Sequence, residues 1–138
     1  MNREILFKAK RIDNDEWVEG YYLRKYDLLE KEVHFIFLAD KHNTWICAEI
    51  DPETLCQFTG LCDKNGNKIW ENDILKAHLD NDYPEDITFE KVEWNNFGWT
   101  LREPERTDWE YINPSDSEIY EVAGNVFDNP ELLQEDAE

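Results

Sequence analysis

The chain has 138 residues, with 14 basic side chains against 33 acidic ones, a net charge of −19, and 41% hydrophobic residues that include six Trp. This is enough apolar material for one folded domain over residues 1–138, and the absence of about 18 consecutive apolar residues excludes the pattern of a membrane-spanning helix. The acidic excess repels nucleic-acid backbones and anionic lipid surfaces, so no direct nucleic-acid or membrane binding is expected, and a basic protein is the partner class that the charge favours.

Short or alternating apolar runs bounded by turn residues recur along the chain, which predicts an all-β, mainly antiparallel fold. The opening residues carry charge from Arg3 onward and have no apolar stretch resembling a secretion signal, so a cytoplasmic location is expected. Arg3–Ala9 reads as a first strand with Ile5, Phe7 and Ala9 on one face. Trp17–Leu23 follows the polar turn Asp13-Asn14-Asp15. Leu23–Lys31 fits a helical turn, a loop or a strand end. Val33–Leu38 and Thr44–Ile50 then form a predicted hairpin across Asp40-Lys41-His42-Asn43.

Residues Asp51 to Ile74 are dense in turn formers. Asp51-Pro52-Glu53-Thr54 starts a turn, Leu55–Thr59 reads as a strand, and Asp63-Lys64-Asn65-Gly66 reverses the chain into Lys68–Trp70, since Asn-Gly is a strong hairpin signal. Glu71-Asn72-Asp73 makes a second reversal into Ile74. Phe58, Leu61, Ile69, Trp70 and Ile74 are core candidates, and Gly60 supplies backbone freedom at a bend.

Asp73–Leu79 is the next predicted strand, and Asp80–Asp86 an exposed acidic loop. Ile87–Trp94 and Phe97–Leu101 form a hairpin with Asn95 and Asn96 in the turn. Glu103–Ser117 reads as a long loop anchored by Trp109, Tyr111 and Ile112. Ile119–Phe127 is the last strand, with a bulge or bend at Gly124. Asp128-Asn129-Pro130-Glu131 has a capping residue, Pro and Glu in the order that starts a short C-terminal helix, and residues 134–138 form a frayed acidic tail. The fold expected is a small β barrel or sandwich with long loops. Charge is uneven along it: residues 1–79 hold 11 basic and 15 acidic side chains, residues 80–138 hold 3 and 18.

The segment Thr54-Leu55-Cys56-Gln57-Phe58-Thr59-Gly60-Leu61, the Asp63-Lys64-Asn65-Gly66 turn and Trp70-Glu71-Asn72-Asp73-Ile74 together resemble the central motif of the YopX-like family of phage and prophage proteins. The opening Arg3–Ala9 and the closing Tyr120–Leu133, with Gly124-Asn125 and Asn129-Pro130-Glu131-Leu132, resemble the family's two ends, so the resemblance covers the whole chain. It implies a predominantly β fold, a phage or prophage origin in a bacterial host cell, self-association and no known reaction. The motif residues Phe58, Thr59, Gly60, Asp63, Asn65, Gly66, Trp70, Glu71, Asp73, Gly124 and Asn125 read as structural. The family usually has Gly where Asn72 stands, and Asn is the residue best able to replace Gly at positive φ.

Chemistry-bearing patterns are sparse. Cys47, Cys56 and Cys62 with His42 lack the close Cys pair of a zinc site, and three thiols suit a reducing compartment. Asp63–Asn67 lacks the Gly position and closing Glu of a calcium loop, whereas the carboxylates of Asp80–Asp86 suit at most weak divalent binding. Glu71 and Asp73 are the only carboxylate pair worth weighing for metal-assisted hydrolysis, and turn residues of this type more often cap amides. No catalytic residue, metal or cofactor is expected. The expected function is an accessory role through protein–protein interaction or self-assembly, with Asp80, Asp82, Glu85, Asp86, Trp99, Trp109 and Tyr111 as candidate contact residues. The alternative is an acidic decoy that imitates nucleic acid in the basic groove of a DNA- or RNA-binding protein.

Overall fold

The computed structural model describes residues 5–78 and 87–134. Eleven strands are found among them: β1 Phe7–Lys10, β2 Trp17–Tyr26, β3 Glu32–Ala39, β4 Trp45–Glu49, β5 Cys56–Cys62, β6 Lys68–Trp70, β7 Asp73–His78, β8 Ile87–Asn95, β9 Gly98–Arg102, β10 Glu110–Tyr111 and β11 Tyr120–Asn125. The protein is all-β, in two antiparallel sheets whose strand orders are open, so no barrel closes among the described residues. None of the helical segments described is long and apolar enough to cross a membrane.

The chain falls into two compact units, Met1–Phe58 and Thr59–Glu138, and β5 runs through the boundary. In the first unit the strand order is β4-β3-β2-β1-β5. Its core is Ala9, Ile36 and Ile50, with Phe7, Val18, Tyr22, Leu38 and Leu55 packed against them. Gly20 is required here because β2 and β3 approach closely: a Cβ at this position would lie 2.0 Å from the Phe37 carbonyl oxygen.

In the second unit the rest of β5 pairs with β6, and a five-stranded sheet has the order β10-β9-β8-β7-β11. Ile69, Leu75, Ala77, Val92, Trp99, Leu101 and Tyr120 form its core, with Leu61, Ile112 and Val122 partly buried against it. Full burial of each large apolar side chain contributes about 1.5–3 kcal/mol. Of the expected core residues, Phe58, Ile69, Trp70 and Ile74 are buried.

Three hairpin loops are built the same way. Asp27, Asp40 and Asp63 each accept through Oδ1 the amides two and four residues on, at 2.8–2.9 Å. The residue three positions on, Glu30, Asn43 or Gly66, has a positive φ. This aspartate turn settles the ambiguous Leu23–Lys31: β2 extends to Tyr26 and the loop closes by Asp27 N–H donation to the Lys31 carbonyl.

Several boundaries differ from the sequence reading. The β8–β9 turn is Asn96-Phe97, not Asn95-Asn96: Asn95 pairs with Gly98 and Asn96 carries φ 55°. Asn95 belongs to the strand because its side-chain amide donates to Thr100 Oγ1. The expected loop Glu103–Ser117 contains β10 and a 3-10 turn starting at Pro114. The C-terminal helix is only a 3-10 turn, Pro130–Leu133; Asn129 gives it no side-chain cap and instead accepts the Asn125 amide at 3.2 Å.

Candidate functional site

The motif residues are engaged in architecture. Thr59 Oγ1 donates to the Ile69 carbonyl at 2.7 Å and accepts the Leu61 amide at 3.1 Å, tying β5 to β6. Gly60 sits in β5 at φ 87° and Gly66 in the turn at φ 82°, conformations that L side chains rarely adopt. Asn65 donates its amide to Asp63 Oδ1. Asp63 is 5% exposed, and its other oxygen accepts the Val122 amide at 2.9 Å, 59 residues away in β11. Burial pushes this carboxyl up, but hydrogen bonds from Val122, Asn67 and Asn65 outweigh it and hold the group below its ordinary range.

Asp73 is buried and its Oδ2 accepts the Trp70 amide at 2.8 Å, so it caps a turn. Asn72 between them has φ 69° and bonds Val92 O through its amide and the Val126 amide through its carbonyl. Glu71 is half-buried in the same turn. Gly124 lies at a register shift in β11, where a Cβ would fall 2.4 Å from Asn129 Oδ1. Asn125 Oδ1 accepts the Phe127 and Asp128 amides. The three free cysteines lie on β4 and β5, with Cys56 buried and Cys47 and Cys62 exposed. His34 stacks on Tyr22, and its Nδ1 meets the Tyr22 hydroxyl.

The contact candidates separate. Asp80, Asp82, Glu85 and Asp86 lie outside the described residues. Trp99 is a correction to the expected surface: at 9% exposed it belongs to the core and packs edge-on against Trp94, 5.0 Å away. Trp109 and Tyr111 come together at a cleft of about 360 Å³.

That cleft is built from the β9–β10 hairpin outward. Pairing of Glu110 with Leu101 and Tyr111 with Thr100 makes the segment extended, which puts Trp109 and Tyr111 on the same side. Their rings meet edge to face at 5.1 Å and 79°. Gly98 leaves room for the Tyr111 ring, which a Cβ would approach to 3.1 Å. The other lip is Glu103–Asp108. Arg102 holds it: a bidentate pair to Glu93, at 2.6 and 3.1 Å, fixes the guanidinium, whose remaining nitrogen donates to the Arg106 carbonyl at 3.0 Å. The Arg102 hydrogen bonds keep the Glu93 carboxyl below its usual range against the opposing effect of burial. Tyr120, Ile119, Leu101, Asn113 and the carboxylates Glu90, Glu103, Asp108 and Glu110 complete the lining, with Arg106 as its cation. Neither Glu71 nor Asp73 lines it.

The sequence pointed to Trp109 and Tyr111 but not to the cleft. The alternation Trp109-Glu110-Tyr111 is its one local signal, and the prolines and charges on both sides hide it.

A second exposed surface lies on the first unit. Register places Tyr21 opposite Phe37 and Phe37 opposite Cys47, so Tyr21, Leu23, Phe35, Phe37, Trp45 and Cys47 share the face of β2–β4 opposite the buried Ile36 and Ala48. Tyr21 and Trp45 are 55% and 62% exposed, with ring centroids 6.2 Å apart. Leu28 and Leu29 at the β2–β3 tip are also exposed.

No curated protein matches the chain. The structure resembles the crystal structure of protein EF1440 from Enterococcus faecalis, with a TM-score of 0.60 and 21% identity over 96% of this chain and all of that one, a likeness of fold. The model of the YopX protein family matches residues 6–134, which is nearly the whole chain, and the protein belongs to the YopX family.

Proposed function

We propose that this protein is a phage-derived, cytoplasmic accessory protein that acts without catalysis, by binding another protein chain or by self-assembly. The observation that carries the reading is the outer face of β2–β4, where Tyr21, Leu23 and Trp45 are exposed side by side on a sheet whose opposite face already forms the core. Large rigid aromatics exposed together are the material of interface hot spots, and covering them recovers apolar area that folding leaves in water. Asp73 supports the non-catalytic part, because a buried carboxylate committed to an amide is poorly placed to move protons.

The test is sedimentation of the purified chain together with affinity capture from host lysate. Changing Tyr21 and Trp45 together to Ser should abolish self-association or capture while the circular dichroism spectrum is retained. A wild-type chain that stays monomeric and captures nothing, or a double variant that behaves as wild type, would count against this reading.

The acidic decoy is a second reading, favoured by the 18 acidic against 3 basic residues of positions 80–138. It requires capture of a basic protein that weakens steeply with salt and with joint neutralisation of Asp80, Asp82, Glu85 and Asp86. Capture indifferent to both removes it.

A further inference from the structure

We propose that the cleft beside β10 is a binding site for a guanidinium group on an aliphatic stem, supplied by an arginine side chain of another protein or by a small guanidino compound. The cleft belongs to the second unit and is separate from the β2–β4 face, so the two readings stand or fall independently.

Three features converge on that chemistry. The first is the aromatic wall: Trp109 and Tyr111 meet edge to face, which leaves ring faces for a cation, and Leu101 and Ile119 offer apolar surface to its stem. The second is charge, since the lining carboxylates Glu90, Glu103, Asp108 and Glu110 outnumber Arg106. The third is that the chain already places a guanidinium there. Arg106 Nε lies 3.4 Å from Glu103 and 3.9 Å from Asp108, with the Arg106 side chain 61% exposed. Contacts this long on an exposed side chain are weak, so Arg106 can swing aside or share the carboxylates with an incoming group.

A guanidinium fits better than an ammonium. It is planar, matches carboxylates with a rigid fork, stacks on aromatic faces and is less strongly hydrated than the lysine head group. A cleft of about 360 Å³ accommodates one long side chain and lies at the lower end of the range for small-ligand pockets.

The experiment follows the tryptophan indole N–H signals of the full-length protein by NMR during titration with N-acetyl-arginine amide, with agmatine and with N-acetyl-citrulline amide, the uncharged isostere. The Trp109 signal should shift saturably with both guanidino probes, and the citrulline probe should bind about tenfold more weakly or not at all. Tyr111→Leu, which removes the other aromatic of the wall and keeps the Trp109 reporter, should abolish the binding. Because that change also disturbs the packing of β10, Glu103→Gln combined with Glu110→Gln provides a second variant on the rim, expected to weaken binding about tenfold with the other indole signals unmoved. Tighter binding of a Gly-Arg-Gly peptide than of agmatine would identify a protein side chain as the source, and the reverse order a small molecule; either supports the site. Absence of saturable shifts with every guanidino probe, equal binding of the citrulline probe, or binding retained in both variants overturns the proposal.

Discussion

Asp63 joins two parts of the fold through one side chain. One carboxylate oxygen closes the β5–β6 turn and the other receives the β11 backbone at Val122, so Asp63→Asn, which leaves a single acceptor, should cost about 1–3 kcal/mol in urea denaturation at pH 7. The sign of its pH dependence follows from the direction of its shift. The folded pKa lies below the unfolded value of about 3.9, so the unfolded chain binds the proton more readily; the stabilisation is complete above that value and is lost as pH falls through the folded pKa. The gap in stability between wild type and Asp63→Asn should therefore narrow below about pH 4. A gap constant from pH 7 to pH 2 would contradict it. The local half of this arrangement was legible, because Asp followed by Asn-Gly is turn chemistry. The bond to Val122 was not, since nothing in a single sequence pairs positions 59 apart. Asn72 was legible for the complementary reason: its φ of 69° is one that Asn adopts more readily than other side chains, as a residue at a tight reversal must.

Strands were legible wherever apolar residues alternate between turn formers, and β6 falls on the residues expected, Lys68–Trp70. Elements held by their neighbours were not. β10 is two residues long and exists because Leu101 and Thr100 offer a sheet edge. The C-terminal turn has the composition of a helix start, yet Asn129, the residue suited to cap it, is drawn back to Asn125. The pairing of β2 with β3 gives a sharp test. At Gly20 a methyl group would meet a backbone carbonyl rather than a flexible side chain, so Gly20→Ala must separate the strands and should cost about 3 kcal/mol, read as a lower urea midpoint. An unchanged midpoint would show that the close approach is not needed. The three aspartate turns were visible only in part. Asp40 and Asp63 precede obvious turn residues, whereas the third has Glu30 at the positive-φ position, which sequence patterns do not favour.

The molecule carries a net charge of −19, the excess left after its 14 basic side chains are set against 33 acidic ones, so ion pairs such as Lys64 and Lys76 on Glu121 leave it undiminished. Self-repulsion therefore outweighs pairwise attraction, and added salt should stabilise the protein. A melting temperature that rises by a few degrees from low to moderate sodium chloride is the expected result, and a fall would mean that the ion pairs dominate. Composition made this balance readable without a structure. The cleft was hidden for the opposite reason: its walls come from β8, β9, β10 and the start of β11, and its charge is set by which carboxylates meet there, not by how many the chain contains.

The split allegiance of Asp63 also imposes an order in time. Its turn forms from residues made together, within microseconds of their release, whereas Val122 follows 59 residues later, which at about 5–20 residues per second of synthesis means roughly 3–12 s. In the later part of that interval, once Asp73–His78 has been made, β7 lacks β11, and one of its edges stands open to any extended chain nearby. The last described strand to be made is thus the one that covers the β7 edge, and a chain cut short before Tyr120 would leave that edge exposed permanently.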